Sequence, residues 1–181
     1  MLSKFKGCTS IDWESLISHL KTQQGDSKTP DVRFYQNTDG RFNEMITLWK
    51  SAEYDKSGSV EWVNYYPGKH FGEEYVKQFE EFTNTRCARA WVSTIRPGKM
   101  APLHIDIDDN EEQYLAQGNL VRFTCHISKP VVGQMFVVET DAFHCQEQGS
   151  VYQWPSYKSW HAGVNASFEI KYLFNFLAIV S

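Results

Sequence analysis

The chain has 181 residues, 41% of them hydrophobic and 15% aromatic, enough to bury one sizeable core as a single domain. A formal net charge of −4 and a pI near 5.9 leave no basic stripe, which disfavours nucleic acid as a direct partner. No apolar run is long enough for a signal peptide or a membrane span, so the sequence reads as soluble and cytoplasmic with no membrane partner.

In chain order, "TSIDWESLISHLKTQQG" offers Ser10 or Asp12 as a cap and Trp13, Leu16, Ile17 and Leu20 at helical spacing, with Gly25 beyond the end. A polar stretch, "DSKTPDVRFYQNTDGRFNE", leads to a second helical segment, "NEMITLWKSAEY", and then to an extended one, "SVEWVNYYPG". In "GEEYVKQFEEFTNT" the residues Tyr75, Val76, Phe79 and Phe82 share one side of a third helix. His19 and His70 read as structural or solvent-facing.

From Cys87 onward the pattern changes to short runs bounded by Gly, Pro, Asn, Asp or Ser: "CARAWVSTIR", "APLHIDI", "NLVRFTCHIS", "GQMFVVE", "SVYQWP", "SWHAGVN" and "EIKYLFNFLAIV". With "SVEWVNYY" these make eight antiparallel strands, which suits a mainly β, cupin-like jelly roll with the N-terminal helices packed on one sheet. The expected layout is one domain over residues 1–181. Residues 1–85 form its helical and irregular part, and 86–181 the jelly-roll core. Cys8, Cys87, Cys125 and Cys145 form no C-x-x-C pair and read as free thiols.

Chemistry concentrates in "RPGKMAPLHIDIDDN". In extended backbone, alternate residues share a face, so His104 and Asp106 point the same way. His161 follows His104 by 57 residues and opens a late strand that a jelly roll can return beside an early one. Two histidines and a carboxylate make the facial set that holds non-haem Fe(II) with open positions, although a bare H-x-D and a distant His also occur as ordinary polar residues.

The stretch "STIRPGKMAPLHIDID…NLVRFTCHIS…GSVYQWPSYKSWHAGVNASFEIKYLF", roughly residues 90 to 180, resembles the barrel core of Fe(II)- and 2-oxoglutarate-dependent dioxygenases. The pattern is closest to the aspartyl/asparaginyl β-hydroxylase-like branch. Ser93, Pro97, Gly98, Pro102 and His104 match that branch's S-x-x-x-P-G and P-x-H segment, with the serine eleven residues before the histidine. The resemblance implies a double-stranded β-helix in which His104, Asp106 and His161 bind iron. It implies 2-oxoglutarate held by Ser93, His126 and Lys171, the last ten residues after His161.

The chain departs from the branch twice. Animal members lack the carboxylate ligand that Asp106 supplies, and the basic residue is more often Arg than Lys. The implied activity is hydroxylation of a C–H bond of an amino-acid, peptidyl or small-molecule substrate, using O2 and releasing succinate and CO2. A cupin-like metalloenzyme without 2-oxoglutarate and a non-catalytic binding module are the alternatives.

The residues themselves bear on the co-substrate. Lys171 interrupts the apolar run "FEIKYLFNFLAIV", where an amine needs a partner; a carboxylate anchor, a snorkelling edge residue and a structural ion pair all meet that need. In "VRFTCHIS" the residues Arg122, Thr124 and His126 alternate to one face, either solvent or a polar cavity, and Arg122 is the rival carboxylate anchor. His144 reads as an exposed loop residue, and Asp108, Asp109, Glu111 and Glu112 as a solvated acidic turn. Trp91, Trp154 and Trp160 read as core or cavity wall, and Asn165 as a turn residue that also matches an asparagine of several dioxygenases.

Overall fold

The computed structural model describes residues 2–28, 40–54, 56–106 and 108–180; the middle of the polar stretch, 29–39, and Ile107 of the expected H-x-D strand lie outside the described residues. In chain order the elements are β1 (Lys4–Cys8), α1 (Trp13–Leu20), β2 (Asp26–Lys28), α2 (Gly40–Ser51), β3 (Trp62–Tyr65) and α3 (Glu74–Thr83). There follow β4 (Arg86–Ile95), β5 (Met100–His104), α4 (Glu111–Leu115), β6 (Asn119–His126), β7 (Gln134–Val138), β8 (Asp141–His144), β9 (Ser150–Gln153), β10 (His161–Asn165) and β11 (Lys171–Val180).

Seven strands form one sheet in the order β1-β9-β6-β11-β4-β3-β2, and four form the other in the order β5-β10-β7-β8. All pairings between named strands are antiparallel. From β4 to β11 the chain crosses repeatedly between the sheets: β4, β6, β9 and β11 lie in the larger, and β5, β7, β8 and β10 in the smaller. That winding is a double-stranded β-helix, the jelly roll expected from the spacing of the strands.

The sequence of β11 shows how one strand serves two cores. Tyr172, Phe174, Phe176 and Ala178 point outward into a cluster with Leu16 and Leu20 of α1 and Phe79 of α3. The Phe79 ring lies 5.0 Å from that of Phe174 and 4.9 Å from that of Phe176. The alternate residues face the barrel interior, where Leu173 packs with Phe136 and Trp154. α1 and α3 therefore cover the larger sheet, as expected, whereas α2 packs instead on β5 of the smaller sheet, where its Trp49 reaches Leu103 O. Asp12 caps α1 by accepting from the Ser15 amide at 3.0 Å.

Three strands were not expected. β1 and β2 sit at the two edges of the larger sheet and β8 at an edge of the smaller one. Edge strands need bury little: β1 buries none of its residues, and β8, inside the polar run "ETDAFHCQEQG", buries only Phe143. The acidic turn likewise contains a short helix, α4, with no buried residue.

Candidate metal centre

Pairing of β5 with β10 sets His161 directly opposite His104, with ring centroids 4.0 Å apart inside the barrel. β5 ends at His104, so Asp106 does not lie on the strand as alternation suggested; it sits just past the strand end. Its carboxylate nevertheless turns inward, because Arg122 of β6, on the facing sheet, forms an ion pair with Asp106 Oδ2. Asp106 Oδ1 lies 3.6 Å from His104 Nε2, and Oδ2 lies 3.4 Å from His161 Nε2. The three ligand atoms all fall within 4.8 Å of one another.

The donor set fits a first-row metal ion. Each imidazole has its Nδ1 on a backbone carbonyl two residues earlier, His104 on Pro102 O at 2.6 Å and His161 on Ser159 O at 3.1 Å. A carbonyl accepts only, so Nδ1 carries the proton and the Nε2 lone pair is left facing the carboxylate, the tautomer a metal ligand needs. Two metal bonds of about 2.1 Å at right angles place their donors about 3 Å apart, close to the spacing seen here. Asp106 Oδ2 is buried between the Arg122 guanidinium and His161 Nε2, and Oδ1 faces His104 Nε2.

Electrostatics favour the same state. Burial works against charge on Asp106, yet the Arg122 guanidinium beside it holds its carboxyl well below the usual range. Burial, with the neighbouring His104, lowers His161 to about 4, so its ring is neutral at physiological pH.

The remaining expected site residues divide between two places. Arg122, Thr124 and His126 do share the cavity face of β6, opposite Phe123 and Cys125 in the outer core. Ser93 lines the same pocket as the triad, but its hydroxyl is already occupied. It accepts from Trp91 Nε1 at 3.0 Å and Asn175 Nδ2 at 3.1 Å, and donates to Asn64 Oδ1 at 2.8 Å.

Lys171 and His126 line a second pocket, and Phe136 stands between it and the triad. The Phe136 ring centroid is 6.2 Å from that of His161 and 5.5 Å from Lys171 Nζ. Lys171 is 3% exposed and donates to Met135 O; no carboxylate among the described residues pairs with it. Burial lowers its ammonium to about 7. His126 Nε2 is buried without a partner in that pocket, and burial with the nearby Lys171 lowers the ring to about 3. The snorkelling and ion-pair readings of Lys171 are therefore not what the structure contains.

Sequence reasoning missed two of the aromatic residues around the site, Trp62 and Trp49. Trp62 stacks on His104 at 5.5 Å and 28°, and Trp49 donates its indole N–H to Leu103 O at 2.8 Å. It also missed Asn175, although its place four residues after Lys171 in an alternating strand would have put it on the cavity face. Trp91 and Trp154 are buried cavity wall as expected, and His144 is exposed. Asn165 does more than make a turn: 1% exposed, its Nδ2 donates to both Ile95 O and Glu169 O at 2.7 Å.

No family model and no curated protein sequence matches the chain. Among solved structures it is similar to the viral collagen prolyl hydroxylase of Paramecium bursaria Chlorella virus-1, solved as a 2OG complex, at 16% identity and a TM-score of 0.46 over 90% of this chain and 99% of that one. It is similar to a prolyl hydroxylase from Trichoplax adhaerens, solved with a peptide fragment of hypoxia inducible factor, at 11% identity and 0.45, over 92% and 88%. It is also similar to the Cnp3 cupin domain of Schizosaccharomyces pombe, at 15% identity and 0.35 over 51% of this chain, and spans about half of that chain's length, 52%. By its own strand order, the chain is a double-stranded β-helix protein of the jelly-roll type, with a His-Asp-His cluster inside the barrel.

Proposed function

We propose that the chain is an Fe(II)- and 2-oxoglutarate-dependent oxygenase that hydroxylates a C–H bond of an amino-acid, peptidyl or small-molecule substrate. The observation that carries the reading is the convergence of His104 Nε2, Asp106 and His161 Nε2, with both Nδ1 atoms held by backbone carbonyls. Three protein ligands on one side leave the other side of a six-coordinate ion open. Bound there, iron would supply the oxidation, O2 being divided between the keto acid, which leaves as succinate and CO2, and the hydroxylated substrate.

The protein's own part is to bind, orient and exclude. Lys171 supports 2-oxoglutarate as the co-substrate, because a buried amine without a carboxylate partner is a site for the far carboxylate of a dicarboxylic acid. His126 Nε2 faces the same pocket and is free to bond that carboxylate. The chain of the keto acid would lie against Phe136. Trp62, Trp91 and Phe136 wall the triad pocket and limit water there.

One observation favours a metalloenzyme of the same shape that uses no 2-oxoglutarate: the Ser93 hydroxyl is saturated and Phe136 screens Lys171 from the triad. Anaerobic titration with Fe(II) and then 2-oxoglutarate separates the two. The oxygenase reading expects the weak visible charge-transfer band of a chelated keto acid, needing far more 2-oxoglutarate in Lys171→Ala. Bound iron with no band at any 2-oxoglutarate concentration would support the other enzyme.

A further inference from the structure

Asp106 is the one member of the cluster without a strand to hold it, since β5 ends at His104. What reaches it is Arg122, whose side chain is 3% exposed in the barrel. The guanidinium lies over two indoles, 4.9 Å from the centroid of Trp91 and 3.9 Å from that of Trp154. Trp154 is itself fixed by donating its N–H to Thr124 Oγ1 at 2.9 Å, and its ring lies 4.7 Å from that of His161. Arg89 also lies 5.3 Å from the Trp91 ring centroid and pairs with Asp108, two residues beyond Asp106, at 2.9 Å.

The geometry points to Arg122 as the positioning residue of the metal centre. Packed over Trp91 and Trp154, it presents the Asp106 carboxylate to the two histidines. This rests on the reading of the cluster as a metal site. It also reassigns Arg122, which the sequence offers as a co-substrate anchor. Its Nη1 is engaged by Asp106 and its guanidinium lies over the Trp91 and Trp154 rings, so the contacts it makes run to the metal-side carboxylate and the cavity wall. A planar guanidinium also suits contact with two aromatic rings better than an ammonium.

The test is a double-mutant cycle with Co(II) as the probe, reading its affinity and visible spectrum in wild type, Arg122→Met, Asp106→Asn and the double variant. Removing a group that orients a ligand weakens metal binding about 10–100-fold, and Arg122→Met should fall in that range with an altered Co(II) spectrum. In the Asp106→Asn background the same change should alter affinity less than about 3-fold, because Arg122 acts only through that carboxylate. Should Arg122→Met fail to fold, Arg122→Lys, which keeps the charge and loses the planar guanidinium, carries the same cycle with a smaller loss.

Wild-type affinity in Arg122→Met, or an equal penalty in both backgrounds, would overturn the assignment. So would a loss confined to 2-oxoglutarate affinity at saturating metal. Failure of wild type to bind Co(II) would instead remove the metal reading on which the assignment stands.

Discussion

Lys171→Met should make the ligand-free protein more stable. The lysine is 3% exposed, and burial moves its ammonium from 10.5 to about 7. That shift, between three and four units at about 1.4 kcal/mol each, amounts to roughly 5 kcal/mol of uncompensated burial at pH 6. Losing the bond to Met135 O returns about 1 kcal/mol of this, so the net gain from methionine is about 4 kcal/mol at that pH.

The sign with pH follows from proton counts. Between about 7 and 10.5 the unfolded chain holds a proton on Lys171 that the folded chain lacks, so wild-type stability rises through that window. The advantage of Lys171→Met should therefore shrink by about 3 kcal/mol from pH 6 to pH 9.5. Urea denaturation of both proteins at several pH values, without metal or keto acid, measures the difference. A variant less stable than wild type at pH 6, or a difference that does not change with pH, would refute the reasoning.

Other consequences follow from the same contacts. Asp106→Ala leaves Arg122 as a buried cation without its counter-ion, and should destabilise the metal-free protein by about 3–5 kcal/mol in urea; unchanged stability would contradict the ion pair. Asn165→Ala removes four side-chain bonds, those its Nδ2 donates to Ile95 O and Glu169 O and those its Oδ1 accepts from Ser167 N and Oγ, and should lower stability by about 2–3 kcal/mol. Hydrogen exchange should quicken across residues 165–170 in that variant. Phe168 is fully exposed, so Phe168→Ser should leave stability within about 0.5 kcal/mol; a larger change would mean that the ring packs in solution.

Much of the fold was legible because burial wrote it plainly. β11 alternates Tyr172, Phe174 and Phe176 with Lys171, Leu173 and Asn175, and both faces of that strand are buried against different partners. The edge strands β1, β2 and β8 were not legible, since an edge strand is held by backbone pairing and needs few apolar residues. The histidines of the cluster could be read from spacing, because four strands separate β5 from β10 and the jelly roll returns the later one beside the earlier.

Asp106 reached the same place for a different reason from the one alternation gives: an arginine on the facing sheet turns it inward. Contacts between sheets of this kind leave no periodic trace in either strand. Nor does the side-chain network that occupies Ser93, or the approach of Phe136 to Lys171, which depend on rotamers rather than on the order of residues.

A crystal structure grown anaerobically with Fe(II), with anomalous scattering to locate the ion, tests the central claim most directly. The account expects one iron about 2.0–2.2 Å from His104 Nε2, a carboxylate oxygen of Asp106 and His161 Nε2, with Arg122 still on the carboxylate. Iron bound elsewhere, or a cluster that stays empty at saturating Fe(II) with its carboxylate turned away from the histidines, would contradict it.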